Sequence, residues 1–257
     1  MGTLGEIEAL GFGALWLGGS PSLVEARAYL EATTTLTVAT GILNVWRHEP
    51  ADVAAGHADL RRDFGERFLL GVGIGHPEAT SGYKKPLAKM RDFLDGLDNA
   101  DRPVPRDERV VAALGPKMLE LAAERSLGAH PYFTPVEHTR LARERIGPAP
   151  LLAPEVAVVV DPDPEDGRAK ARAYAESYLR MTNYASNLLR LGFDEGELAD
   201  GGSDRLIDAV IPHGSAEAIA ETVHAHLEAG ADHVCVQPVG HGAEQVDDYR
   251  ALARALL

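Results

Sequence analysis

The sequence has 257 residues, a formal charge of −14 at pH 7 and 45% hydrophobic residues, which is enough for a sizeable buried core. The acidic balance excludes nucleic acid and an anionic membrane surface as main partners, and the single cysteine, Cys235, excludes a disulfide framework and a zinc cluster. No secretory signal is evident, because Glu6 and Glu8 precede the uncharged run 9–24, so we expect a soluble cytoplasmic protein.

One pattern recurs along the chain: a helix ends, glycine turns the backbone and an apolar strand begins. It appears first as the helix Leu4–Leu10, the C-cap Gly11 and the strand Ala14–Leu17. Seven strands are predicted in total, with starts near residues 14, 36, 68, 109, 129, 155 and 233. Strands that alternate with helices indicate a parallel α/β fold with its function at the carboxyl ends of the strands.

Helix starts are marked by capping side chains and by proline at the first helical position. The predicted starts are Ser20-Pro21, Pro50, the capping box Thr134-Pro135-Val136-Glu137, Asp163-Pro164 and Ser215. Residues 183–208 interrupt the repeat with short helical pieces and a polar turn. We expect them to form an insertion that folds over the strand ends as a candidate lid.

The repeat predicts a (β/α) barrel, and a doubly wound open sheet is the competing architecture. A (β/α)8 barrel needs eight strands, and this chain begins with a helix. The missing strand would therefore be the first, so we expect either that the chain begins late or that the barrel has an open seam there. We treat residues 1–257 as a single domain of this kind.

Two strands lead into segments typical of a binding site. The stretch Leu36–Pro50, LTVATGILNVWRHEP, contains a buried strand that delivers Thr40, Gly41 and Asn44 to its carboxyl end. The strand Phe68–Val72 continues into GVGIGH. Its GxGxG spacing is a weak dinucleotide fingerprint, and the glycines predict either a close neighbour or a flat ligand against this strand.

The segment Leu114-Gly115-Pro116-Lys117 has the composition of a phosphate-binding turn. A strand ends, glycine leaves the backbone open, and a helix begins with free N–H groups beside a cation. The same residues are equally compatible with an ordinary turn between a strand and a helix.

Three histidines, His48, His76 and His130, lie at or just beyond strand ends, where an imidazole can act as an acid or a base. A structural role is the alternative for each of them. No metal site is predicted, because His224 and His226 do not share a helix face and no carboxylate cluster joins them. We expect those two to be solvated or core histidines.

Taken together, five segments resemble the luciferase-like monooxygenase superfamily, and within it the oxidoreductases that use the deazaflavin coenzyme F420. The resemblance extends from Leu10 to Val239 and is carried by RFLLGVGIGH, ALGPKMLELAAER, GAHPYF, GGSDRLIDA and AGADHVCVQ. It implies a TIM-type (β/α)8 barrel with insertions, here without its first strand. It also implies a small-molecule substrate and a homodimer.

The resemblance further implies where the cofactor is held. GILNVWRHEP is similar to the family's third strand, whose bulge places a non-prolyl cis peptide behind the deazaflavin ring, here Gly41–Ile42. LGPK is similar to the loop that receives the cofactor's phosphate. The implied cofactor-binding residues are Thr40, Gly41, Ile42, Asn44, Gly73, Gly75, Leu114, Gly115, Pro116, Lys117, Gly128, Ala129 and His130.

The chain also departs from the family. Sugar-phosphate dehydrogenases of this branch carry histidine and tryptophan where this chain has Gly18-Gly19-Ser20, and glutamate where it has His76. Their substrate therefore does not carry over, and His76 becomes the candidate for proton transfer. The hypothesis is an F420-dependent oxidoreductase. The alternatives are an FMN-dependent monooxygenase of the same fold and a non-catalytic barrel remnant.

Overall fold

The computed structural model describes residues 3–240 and 243–257, which fall into two compact units divided between His130 and Pro131. The helices are α1 (Thr3–Ala9), α2 (Leu23–Ala32), α3 (Pro50–Phe64), α4 (Pro86–Asp98), α5 (Pro116–Arg125), α6 (Val136–Ile146), α7 (Pro164–Leu179), α8 (Thr182–Arg190), α9 (Glu195–Leu198), α10 (Asp204–Val210), α11 (Ala216–Glu228) and α12 (Ala243–Leu256). The strands are β1 (Ala14–Leu17), β2 (Thr37–Thr40), β3 (Leu43–Asn44), β4 (Phe68–Gly73), β5 (Arg109–Val111), β6 (Gly128–Ala129), β7 (Leu151–Leu152), β8 (Glu155–Val160), β9 (His213–Gly214) and β10 (Cys235–Pro238).

All seven predicted strands are present, and the short strands β3, β7 and β9 were not predicted. Each has two residues, too few to show a period in the sequence. The last strand begins at Cys235 rather than near residue 233, so its predicted start was two residues early.

The capping side chains explain why several helices begin where they do. Asp163 and Ser215 cap α7 and α11 as predicted, each accepting backbone N–H groups of the first turn. The cap of α2 is Ser22 and not Ser20. Ser22 forms a capping box with Glu25, in which the Glu25 N–H donates to Ser22 Oγ at 3.2 Å and the Ser22 N–H donates to Glu25 Oε2 at 2.7 Å.

The capping box predicted at Thr134–Glu137 is wrong. Helix α6 begins one residue later than that box requires, so Pro135 is the N-cap and no side chain caps the helix. The Glu137 carboxylate instead accepts from the guanidinium of Arg140, with Nε to Oε2 at 2.9 Å. A one-residue shift is sufficient to remove this motif, because the cap hydroxyl must face the third N–H of the helix.

The first unit is built on one parallel sheet whose strand order is β1–β2–β4–β5–β6, with β3 pairing beside β4. Strands β2 and β4 are almost entirely buried, as expected for parallel strands covered by helices on one face and packed on the other. Because the strands are parallel, their carboxyl ends lie along one edge of the sheet. That edge carries most of the residues discussed below.

A fully buried arginine anchors the start of β5. Arg109 donates from Nη2 to Asp98 Oδ1 at 2.6 Å, from Nη1 to the Val104 carbonyl at 3.1 Å and from Nε to the Arg125 carbonyl at 3.0 Å. A charge without water is tolerated only when it is paired in this way. The network fixes the start of β5.

The second unit contains a smaller parallel sheet in the order β10–β8–β9. Helices α11 and α12 cover it, and Val156, Val158, Ile219, Val223 and Leu252 form its buried apolar core. Cys235 is a buried free thiol, as its apolar sequence context predicted. Among the described residues, no helix combines the length and the apolar character that a membrane span requires.

The predicted insertion is present as α8, α9 and α10, and α7 holds it by polar contacts. Arg168 Nε lies 2.8 Å from Asp208 Oδ1, and Arg172 donates to the Gly202 carbonyl at 3.0 Å and pairs with Asp204. Tyr184 of α8 is buried among the rings of Phe133 and neighbouring tyrosines. Whether these helices act as a lid stays a prediction.

Candidate functional site

The segment that joins β2 to β3 is hydrogen-bonded to β4 through the side chain of Thr40. Thr40 is fully buried, and its hydroxyl both donates to the Gly71 carbonyl and accepts from the Gly71 N–H, each at 2.8 Å. The next peptide bond, Gly41–Ile42, is cis, as the family resemblance implied. Thr40 therefore positions this backbone, while Gly41 and Ile42 themselves stay half-buried at the sheet edge.

The glycines of β4 are required by the chain's own close approach. A Cβ on Gly71 would overlap the carbonyl oxygen of Thr40, and one on Gly73 would lie 2.5 Å from Cγ1 of Ile42. Of the two interpretations offered for GVGIG, the close neighbour applies at these two positions. The neighbour is the segment Thr40–Ile42.

Asn44 and Trp46 hold the loop after β4. The Asn44 side-chain oxygen accepts from the Trp46 N–H at 3.0 Å, and the Trp46 indole donates to the Ile74 carbonyl at 2.9 Å. Gly75 has a left-handed φ of +58° and lies against the Asn44 amide, where a Cβ would be 2.8 Å from its nitrogen. The Asn44 side chain is therefore used for contacts within the chain. His76 comes directly after Gly75, so these contacts hold the backbone that leads into His76.

His130 is brought to the same segment from the opposite side. Its backbone N–H donates to the Val111 carbonyl at 3.0 Å, which continues the β5–β6 pairing. Its ring stacks on Trp16 with centroids 4.1 Å apart and planes at 16°, and a Cβ on Gly41 would lie 3.3 Å from its Nε2. The side chain is 2% exposed, so His130 supports the Gly41 backbone rather than facing solvent.

The turn Leu114–Lys117 has the features expected of an anion site. Gly115 is the N-cap of α5 in an extended conformation, no side chain caps the helix, and Pro116 follows at its first position. The Lys117 side chain is exposed. An uncapped helix start with a lysine in its first turn presents backbone N–H groups and a cation to the same ligand.

His76 combines partial burial with a position at the strand edge. Burial lowers the pKa of its imidazole, and the nearby Glu78 carboxylate offsets part of that shift. The ring is therefore neutral at pH 7 and is able to accept a proton. His48, the third candidate, is half-buried beyond β3.

The histidines of α11 have the roles that were predicted for them. His224 is exposed, and His226 is a core histidine, 1% exposed, with its Nδ1 2.8 Å from Thr139 Oγ1. In the described ranges, no three His, Cys, Asp or Glu side chains come together in a way that could hold a metal ion.

His226 predicts a specific loss of stability in acid. Burial, with a smaller effect of nearby His138, lowers its pKa from 6.5 to about 4. Its contribution is complete above pH 6.5 and is lost as the pH falls towards 4, because only the unfolded chain takes up the proton in that window. The full loss is about 3 kcal/mol.

The pH dependence of the free energy of unfolding, measured with urea between pH 7 and pH 4.5, tests this prediction. From this dependence, His226→Gln should release about one proton fewer on folding than the native chain. His224→Gln, on the same helix but exposed, is the control, and an equal change in both variants would contradict the assignment.

The structure thus gathers the predicted residues into two groups. At the sheet edge of the first unit lie Gly41, Ile42, Gly75, His76, Leu114, Gly115, Pro116 and Lys117. Thr40, Asn44, Gly73, Gly128, Ala129 and His130 are buried beneath that edge and contribute packing or backbone. Sequence reasoning missed Trp16, whose only signal was an aromatic residue near the end of a strand that ends close to the site.

Comparison with known proteins places this geometry in a family. A family model described as luciferase-like monooxygenase matches residues 4–233. The solved F420-dependent tetrahydromethanopterin reductase from Methanopyrus kandleri is similar, with a TM-score of 0.77 and 15% identity over 99% of this chain and 93% of that chain.

Two further solved structures are similar, and they differ from each other in their cofactor, which is F420 in one and FMN in the other. An F420-dependent secondary alcohol dehydrogenase, in complex with an F420–acetone adduct, has a TM-score of 0.76 and 17% identity over 99% of this chain and 93% of that one. The oxygenating constituent of 3,6-diketocamphane monooxygenase from Pseudomonas putida, in complex with FMN, has a TM-score of 0.66 and 14% identity over 98% and 88%. These likenesses show the fold alone. They confirm the predicted fold class, an α/β fold of the luciferase-like kind.

Proposed function

The chain belongs to the luciferase-like monooxygenase family, and from this premise we propose that it is an F420-dependent oxidoreductase that transfers a hydride between the deazaflavin and an organic substrate. The observation that carries the proposal is one sheet edge that joins a held backbone at Gly41–Ile42 to an uncapped, lysine-bearing helix start at Gly115–Lys117. The held backbone would support a planar ring, and the helix start would bind a phosphate carried on the side chain of that ring.

The residues present fit such a cofactor. Ile42 lies against Gly73 and is half-buried at the sheet edge, where its apolar side chain would support a ring. Lys117 with the α5 N-terminus would hold the phosphate. When bound, F420 supplies C5 as the carbon that accepts or donates the hydride. The chain's contribution is to orient the ring and to keep a neutral imidazole, His76, beside the edge to take or return the substrate's proton.

Binding of the cofactor tests the phosphate assignment. We expect F420 to bind more tightly than FMN, and Lys117→Ala to weaken F420 binding by about 1–3 kcal/mol, the loss of one charged partner. The loss should shrink in high salt, because Lys117 is exposed and its attraction is screened. Fluorescence titration at two salt concentrations measures both effects.

Two variants sharpen this titration. Lys117→Arg keeps the charge and should retain most of the affinity. Arg180→Gln removes an exposed cation from the second unit and should leave the affinity unchanged. Saturable binding that Lys117→Ala does not alter would mean that the phosphate lies elsewhere.

The FMN-dependent monooxygenase is the second candidate, and the similarity to an FMN complex favours it. It makes the opposite prediction, namely tighter binding of FMN than of F420. Absence of binding by either flavin would favour the non-catalytic alternative. For turnover, secondary alcohols such as 2-propanol are the first substrates to test with F420, because one structural neighbour is a secondary alcohol dehydrogenase.

A further inference from the structure

The chain's lysines are distributed very unevenly. It has 39 acidic residues but only five lysines. Three of the lysines lie between β4 and β5, and a fourth, Lys117, comes shortly after β5. Lys170 pairs with Asp161 at 2.5 Å, whereas within the described residues Lys84, Lys85, Lys89 and Lys117 have no carboxylate within ion-pair distance. Unpaired cations in so acidic a protein are positioned for an anion from outside.

Three of these lysines form one surface with two aromatic rings. Lys84 and Lys85 are exposed just before α4, and Lys89 lies in its first turns with its Nζ 5.5 Å from the centre of the Trp46 ring. The Tyr83 ring is 5.6 Å from that of Trp46. We call these five residues the lysine–tryptophan surface.

The surface is anchored and is not neutralised locally. Trp46 is fixed through its indole N–H to the Ile74 carbonyl, so Lys89 lies over a ring that cannot easily move away. The first turn of α4 contains no acidic residue, as in α5 and α8, whereas α2, α3, α6, α7 and α11 each carry at least one there. Carboxylates are favoured in the first turn of a helix because of the helix dipole, and α4 has none there to neutralise the lysines.

We propose that the lysine–tryptophan surface binds a short acidic segment of a partner polypeptide. Lysine ammonium groups act as point charges without the bidentate geometry of arginine, which suits carboxylates spaced along a flexible chain. Three cations spread over Lys84–Lys89 exceed what one small anion needs. A long nucleic acid would meet the repulsion of a protein whose net charge is −14.

Trp46 supplies the readout for a binding test. In a Trp16→Phe background it is the only tryptophan of the chain, so its fluorescence reports directly on the ring beneath Lys89. The probe is an acetylated hexaglutamate peptide, compared with hexaglutamine and with inorganic phosphate. We expect a saturable fluorescence change with hexaglutamate alone, weakened by salt. Calorimetry on the native chain repeats the measurement without the tryptophan substitution.

Charge-matched variants decide whether the site is local. Lys84→Gln/Lys85→Gln should weaken hexaglutamate binding about tenfold or more. Arg180→Gln/Arg250→Gln removes the same charge from an exposed and a half-buried position of the second unit and should leave binding unchanged. An equal loss in both pairs, phosphate binding as tight as hexaglutamate, tighter binding of an oligonucleotide of equal charge, or no saturable binding would each overturn the proposal.

Discussion

His76→Ala lowers the turnover of the F420-dependent reaction by about 10²–10⁴-fold, while the affinity for F420 changes by less than about threefold. The expectation follows from the position and the state of this ring. It lies beyond β4 at the edge that carries Gly41–Ile42, and partial burial lowers its pKa so that it is neutral at pH 7. A proton carrier contributes to the transition state and little to the bound cofactor, so its loss should appear in kcat.

The measurement is the loss of the oxidised cofactor's visible absorbance with a secondary alcohol, followed across pH. If His76 accepts the proton, turnover of the native enzyme should fall on the acid side, where the imidazole becomes charged, and His76→Ala should lose that limb. His224→Ala, exposed and in the second unit, is the matched control. Equal losses of turnover and of cofactor affinity would instead identify His76 as a positioning residue.

Much of the fold could be predicted because its signals are local. The αβ repeat is visible in the sequence as short apolar runs that follow helix-ending glycines. Asp163 and Ser215 cap the helices α7 and α11 at the positions that the sequence predicted. Burial of Cys235 followed from its apolar neighbours in the same strand. Each of these features depends on residues within a few positions of one another, which is the range that a sequence pattern can report.

The parts that could not be predicted depend on contacts between distant segments. The stack of Trp16 on His130 brings β1 to the end of β6, which is more than a hundred residues later in the chain. The burial of Arg109 at the start of an apolar strand depends on Asp98 of α4 and on the Arg125 carbonyl at the end of α5. Thr40 gave a similar surprise. It looked like a side chain offered to a ligand, but its hydroxyl is used entirely by Gly71. A polar residue at a strand end does not reveal in sequence whether it faces a ligand or the neighbouring strand.

The same hydrogen bonds make Gly71 the most sensitive position of the site. Gly71→Ala should destabilise the protein by more than about 3 kcal/mol, at the upper end of overpacking effects, and should abolish F420 binding. The added methyl group would overlap the Thr40 carbonyl oxygen, which belongs to the backbone and cannot rotate away. Relief requires β2 to separate from β4. That movement would break both Thr40 bonds to Gly71 and displace the adjacent Gly41–Ile42 segment.

Two companion variants separate this effect from a general intolerance of alanine. Gly13→Ala, just before β1, places its methyl in open space and should change the urea midpoint little. A methyl on Gly73 meets side-chain atoms, namely Cγ1 and Cδ1 of Ile42 and, at 3.1 Å, Cβ of Ala112. Gly73→Ala/Ile42→Ala removes the two closest of these atoms and should regain much of the stability that Gly73→Ala loses. No side-chain deletion can rescue Gly71→Ala in this way, because its obstacle is a carbonyl. If Gly71→Ala proved as stable as Gly13→Ala and still bound F420, Thr40 would not lie against β4 as described, and the support proposed for the cofactor ring would be lost.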